Sequence, residues 1–125
     1  MSLARILGAA KAVIGMVHLE PLPGSPRWAG SMEEISRAAL ADAQALADGG
    51  VDALLVENFG DVPFSPGRVD AACVAAMAAV SIQIRRAVSL PLGINVLRTD
   101  AQSALAVAAR WARGSSASTC TRARW

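Results

Sequence analysis

The feature that most constrains this chain is a repeated unit, a short apolar run followed by a capped helix, which occurs three times and then stops. Residues 12–19 (AVIGMVHL) form an apolar stretch rich in β-branched residues, closed by the loop Glu20, Pro21, Leu22, Pro23, Gly24, Ser25, Pro26. A run of that length ended by prolines predicts a buried parallel strand. Ser31 with Glu34 three residues on has the spacing of a capping box, in which each side chain satisfies a free backbone N–H at the helix start. Glu33 and Glu34 also suit the positive end of a helix dipole, and the helix is expected to stop at Gly49 and Gly50.

The pattern recurs at residues 52–58 (DALLVEN), followed by the loop FGDVPFSPGRV, with Asp70 as the N-cap of a second helix. In that helix Cys73, Met77, Val80, Ile84 and Val88 recur at steps of three and four, a stripe expected to face the sheet. Arg85 and Arg86 lie at its negative end, Pro91 terminates it, and residues 92–97 (LGINVL) make a third strand. Thr99 with Gln102 predicts a further capping box, opening an alanine-rich helix over residues 100–109.

Strands alternating with helices imply parallel βαβ units, which fit either a doubly wound sheet or a barrel. A dinucleotide-binding sheet carries a glycine-rich turn after its first strand, and the loop here is proline-rich instead. The expected fold class is therefore α/β, the first three βα units of a TIM (β/α)8 barrel. A complete barrel takes about 250 residues, so a chain of 125 is read as truncated.

From position 110 the repeat fails. A fourth apolar strand is due, but RWARGSSASTCTRARW follows, with four arginines and two of the three tryptophans. Residues 1–109 are thus read as a partial barrel and 110–125 as an out-of-frame or disordered tail. A GC-leaning back-translation of the tail, read one frame over, encodes a glycine turn followed by an alternating strand. Three strands cannot close a barrel, so a poorly soluble or partly molten product, inactive alone unless an oligomer supplies the missing strands, is expected.

Charge supports no polyanionic partner. The formal net charge is +2, yet every acidic residue lies at or before Asp100, while Arg110, Arg113, Arg122 and Arg124 all follow it. Without those four the chain holds eight basic against ten acidic residues, and aromatics are only 4% of it. Both facts argue against nucleic-acid binding. Cys73 and Cys120 have no metal-like spacing, so a reducing, cytoplasmic location without disulfides is expected. Lys11 interrupts the N-terminal apolar run well before the roughly seven to fifteen residues of a signal peptide. No window reaches the ~18 residues of a transmembrane segment.

In parallel barrels the chemistry sits at the C-terminal strand ends and in the loops that follow. Here the first strand ends in His18 and Glu20, the second in Glu57 and Asn58 with Asp61 just beyond, and the third in Asn95 and Arg98. Glu57 is the strongest single signal, because an unpaired carboxylate within an apolar strand costs several kcal/mol or shifts its pKa. The alternative for Glu57 is a structural salt bridge, with Arg98 as partner. Gathered in one crevice, these groups could bind a small anionic or phosphorylated ligand through Arg98, Asn58 and Asn95. His18 and Glu57, the candidate catalytic residues, could move a proton. A divalent metal on Glu57, Glu20 or Asp61 is a further option that no ligand spacing supports, and no metal site or cofactor is assigned. Trp28 in the first long loop is either a lid or a packing plug.

The stretches IGMVHLEPLPGSPRW (residues 14–28), GVDALLVENFGDVPF (50–64) and RRAVSLPLGINVLRTDAQSALAVA (85–108) resemble, in order, the first three strand–helix units of the BtpA family. The resemblance implies a ribulose-phosphate-binding-barrel architecture and a link to photosystem I assembly, with peripheral membrane association. It also leaves open a non-catalytic role as an assembly factor or scaffold for a membrane protein complex. It carries over no catalytic residue.

Overall fold

The computed structural model describes residues 2–110, so the segment expected to be an out-of-frame tail lies outside the described residues from position 111 on. Three strands, β1 (Ile14–His18), β2 (Ala53–Glu57) and β3 (Leu92–Asn95), alternate with helices α2 (Met32–Asp48), α3 (Ala71–Ala87) and α4 (Ala101–Ala109). A short helix, α1 (Leu3–Leu7), precedes them, capped by Ser2 and closed at Gly8 in the left-handed conformation.

The strands form one parallel sheet in the order β1-β2-β3. In register, His18 pairs with Glu57 and Glu57 with Asn95, while Met16 pairs with Leu55 and Leu55 with Gly93. Successive residues of a strand point to opposite faces, so two rows of side chains result. One row, with Val17, Leu54, Val56, Leu92 and Ile94, is buried. Beneath it lie Ile35, Ala39 and Ala43 of α2, Met77, Val80 and Ile84 of α3, and Ala104 and Val107 of α4. Neighbouring helices pack on each other, α2 on α3 and α3 on α4. Alanines at these contacts allow close approach, and the Cβ of a residue at position 15 would meet the Leu46 side chain at 3.0 Å.

The other row carries none of these helices. On the outer strand Ile14 is 45% and Met16 39% exposed, while Ala53 and Glu57 of the central strand are buried. The sheet thus has one face closed by helices and one bare of them, along whose outer strand apolar side chains are exposed.

Helix starts follow the sequence with one correction. Ser31 Oγ accepts the Glu34 N–H at 3.2 Å, and Asp70 Oδ1 accepts the Cys73 N–H at 2.8 Å. The left-handed residue that ends α2 is Gly50 (φ 87°) rather than Gly49. The Thr99–Gln102 box does not form. Asp100 is the N-cap of α4, accepting the Ser103 N–H at 3.0 Å, and Gln102 instead takes a hydrogen bond from the Arg68 guanidinium. Asp100 competes better than Thr99 for the cap because its second oxygen also accepts Ser103 Oγ at 2.6 Å and the Val69 N–H at 2.8 Å. Burial opposes ionisation of Asp100, but these hydrogen bonds, aided by the nearby Arg68, outweigh it and hold the carboxyl below its ordinary 3.8. Trp28 is half-buried and packs against the core, so it is a plug.

Candidate functional site

At the C-terminal edge of the bare face three polar side chains stand side by side in one line of register: His18, Glu57 and Asn95. Asn95 Nδ2 donates to Glu57 Oε1 at 2.5 Å, and His18 Nε2 lies 3.2 Å from Glu57 Oε2. Glu57 is only 8% exposed, so both of its oxygens need donors, and its two strand neighbours supply them. The His18 side chain remains 45% exposed, stacked on Phe59 with ring centroids 4.4 Å apart and planes 15° from parallel. Phe59 packs in turn at a tilt against Phe64, with centroids 6.3 Å apart.

The expected salt bridge between Glu57 and Arg98 is therefore not what forms. The partner of Glu57 is His18, and Arg98 is exposed in the turn after β3, without an ion pair among the described residues. The reason is reach: His18 is directly opposite Glu57 in the ladder, whereas Arg98 lies three residues beyond Asn95.

Asn58 and Asp61, grouped with the others by sequence, belong to a different cluster. Asn58 follows Glu57 in the chain and so points to the helix side, where it is 1% exposed. Its Oδ1 accepts the Leu97 N–H at 2.6 Å, and its Nδ2 donates to the Leu97 carbonyl at 3.2 Å and to Asp61 Oδ2 at 3.3 Å. Asp61 Oδ1 accepts the Leu22 N–H at 2.7 Å, and its Oδ2 accepts from Cys73 Sγ at 3.6 Å. Burial pushes the Cys73 thiol up to about 12, reinforced by the charge and hydrogen bond of Asp61 and by the charge of Asp70. This knot ties the loops after β1 and β2 to the end of β3, and it borders a cavity of about 400 Å³ also lined by Pro63, Phe64 and Arg68. Gly60 sits within the same junction, where an added Cβ would come within 2.6 Å of the Leu19 carbonyl oxygen and the Pro21 nitrogen.

Glu20, two residues past His18, is exposed and lines a separate cleft with Arg27 and Trp28 beside α2. Glu20, Glu57 and Asp61 thus do not converge, and among the described residues no three His, Cys, Asp or Glu side chains could hold a metal ion. Nor, among those residues, is any helix long and apolar enough to cross a membrane. Sequence reasoning missed Phe59 as the platform for His18. The signal available was its position, two residues after Glu57 and so on the same side of the chain.

The family comparison decides the lineage. The model of the BtpA family matches residues 9–115, which takes in all three strands and the whole strand-end row. The chain belongs to the BtpA family. The photosystem I biogenesis protein BtpA of Synechocystis sp. is 49% identical over 108 residues, 86% of this chain and 38% of that protein. An uncharacterized protein of Thermococcus kodakarensis is 53% identical over 98 residues, 78% of this chain and 37% of its own length. The putative sgc region protein SgcQ of Escherichia coli is 37% identical over 97 residues, 76% of this chain and 36% of SgcQ. This BtpA-family chain thus spans well under half the length of the curated relatives it matches. No solved structure matches it.

Proposed function

We propose that this chain is the N-terminal part of a TIM-barrel protein of the BtpA family, whose complete form binds and transforms a small phosphorylated or otherwise anionic metabolite. The observation that carries the reading is the His18–Glu57–Asn95 row at the C-terminal strand ends, on the face without helices. Consecutive parallel strands in sequential order, with the helices of one layer on one face, are what a barrel wall requires, and the bare face is then the barrel interior. In this reading His18 and Glu57 move a proton, Arg98 meets the anionic ligand, Asn95 steadies Glu57 through its hydrogen bond, and Asn58 with Asp61 hold the surrounding loops in position. Glu20 stays peripheral. A cytoplasmic location goes with this reading, as does inactivity of this chain on its own, since the three strands of the described residues would form only part of such a mouth.

A second reading has one observation in its favour: the similarity to the Synechocystis relative, a photosystem I biogenesis protein. On that reading the barrel is a non-catalytic scaffold that assembles a membrane protein complex, from a peripheral membrane position.

The two separate in a melting screen of the full-length Synechocystis relative against sugar phosphates and nucleotides. The metabolite reading expects at least one ligand to raise the melting temperature, with the shift abolished by His18→Ala and Glu57→Gln at the counterpart positions. A panel in which nothing shifts, combined with co-fractionation of the protein with a membrane complex, would leave the scaffold.

A further inference from the structure

We propose that Glu57 and Asn95 act together to make Nδ1 of His18, not Nε2, the proton-accepting atom of the site, Asn95 being a positioning residue. The inference rests on the reading of the strand-end row as the site and adds which atom does the work and what holds it.

The argument starts at Glu57. A carboxylate only accepts hydrogen bonds, so the ring nitrogen 3.2 Å from its Oε2 must carry a hydrogen. That nitrogen is Nε2, and in the neutral imidazole the lone pair then resides on Nδ1. Phe59, stacked at 15° to the ring, limits the plane the imidazole can take. A half-turn of the ring within that plane would bring a carbon against Glu57 and leave a buried carboxylate oxygen without its donor, an expensive outcome at 8% exposure. Phe59 therefore sets the plane and Glu57 sets the facing.

Glu57 is itself held. Its Oε1 is taken by Asn95 Nδ2, so the carboxylate cannot rotate away from His18 without breaking a hydrogen bond to a charged group. The chain of control runs from Asn95 on β3 through Glu57 on β2 to His18 on β1, one residue per strand in one register line. When Nδ1 takes a proton from a ligand, the ligand becomes its conjugate base and the ring an imidazolium. The new positive charge then lies against the Glu57 carboxylate, and the reverse step returns the proton.

Alkylation with bromoacetate tests this at the level of atoms. His18 is the sole histidine, so a digest of the untagged protein analysed by tandem mass spectrometry reports one imidazole. An unconstrained imidazole alkylates mainly at the less hindered Nε2. The native chain is expected to invert that preference, with the Nδ1 product exceeding the Nε2 product by about tenfold, the worth of one hydrogen bond to a charged group. In urea the same chain should revert to Nε2. Asn95→Ala, which frees Glu57 to turn, should bring the native ratio to about one or below, and Asn95→Asp, which keeps the size and removes the donor, should do the same. A structural role alone would lower the melting point and leave the ratio untouched.

Predominant Nε2 alkylation of the native chain would overturn the proposal, as would an unchanged ratio in a variant that circular dichroism shows to be folded. If the variants fail to fold, the native and urea ratios still decide it. The readout needs no ligand, so an empty ligand screen sinks the metabolite reading while leaving the ratio standing, and a normal ratio sinks only this proposal.

Discussion

Asn58 holds both backbone polar groups of Leu97, accepting its N–H at 2.6 Å and donating to its carbonyl at 3.2 Å. The asparagine thereby replaces the ladder that β2 and β3 stop forming after Asn95. Asn58→Ala should leave that half-buried N–H without its partner and cost about 1–2 kcal/mol of stability, read from urea unfolding. Asn58→Asp should restore the acceptor but not the donor, and should set a second carboxylate beside Asp61. It is therefore expected to rescue little.

Ser81 on α3 is fully buried, and among the described residues its hydroxyl has no hydrogen-bond partner. Removing an unsatisfied buried polar group of this size is expected to be neutral or favourable. Ser81→Ala should raise stability by up to about 1 kcal/mol, seen as a higher melting temperature. A clear loss of stability would mean that the hydroxyl is bonded.

Cys73 gives the alkaline limb of stability a definite sign. Its folded-state pKa of about 12 lies above the ordinary 9.0, so above pH 9 the unfolded chain releases a proton that the folded chain keeps. Stability contributed by the buried thiol is full below about pH 9 and is lost progressively between there and about pH 12. The comparison with Cys73→Ala, which lacks the titration, isolates it: the two stability curves should converge as pH rises through that window.

Asp100 acts at the other end of the scale. Its carboxyl is held below 3.8 by its hydrogen bonds, so the stability it supplies is present above that value and lost as pH falls through its folded pKa. Asp100→Ala removes the cap of α4 together with the tie to Val69, and should cost about 1–2 kcal/mol near neutral pH. The difference between the two proteins should shrink in acid, as measured by thermal melts across the acid range.

Much of this architecture was legible in the sequence, because the strands and helices carry strong local signals. Ser31 and Asp70 announce their helices, and strands β1, β2 and β3 lie within the apolar runs at residues 12–19, 52–58 and 92–97. The one misread start, Thr99 in place of Asp100, turned on a contact distant in sequence: Val69 supplies a donor that selects the aspartate. The site was legible only as a set of strand-end residues. Alternation along a strand already separates Glu57 from Asn58 and joins Glu57 to His18 and Asn95 once the register is known. The register itself depends on how three segments align, which no single run reveals. The same limit explains why Arg98 was expected at Glu57 and why the stacking of Phe59 on His18 was not foreseen.

A crystal structure of the full-length Synechocystis relative with a sugar phosphate bound bears most directly on the strand-end row. The counterparts of His18, Glu57 and Asn95 should line the interior of a closed barrel, with the ligand within hydrogen-bonding reach of the His18 and Arg98 positions. A ligand seated elsewhere, or a sheet whose bare face here is covered by helices there, would contradict it.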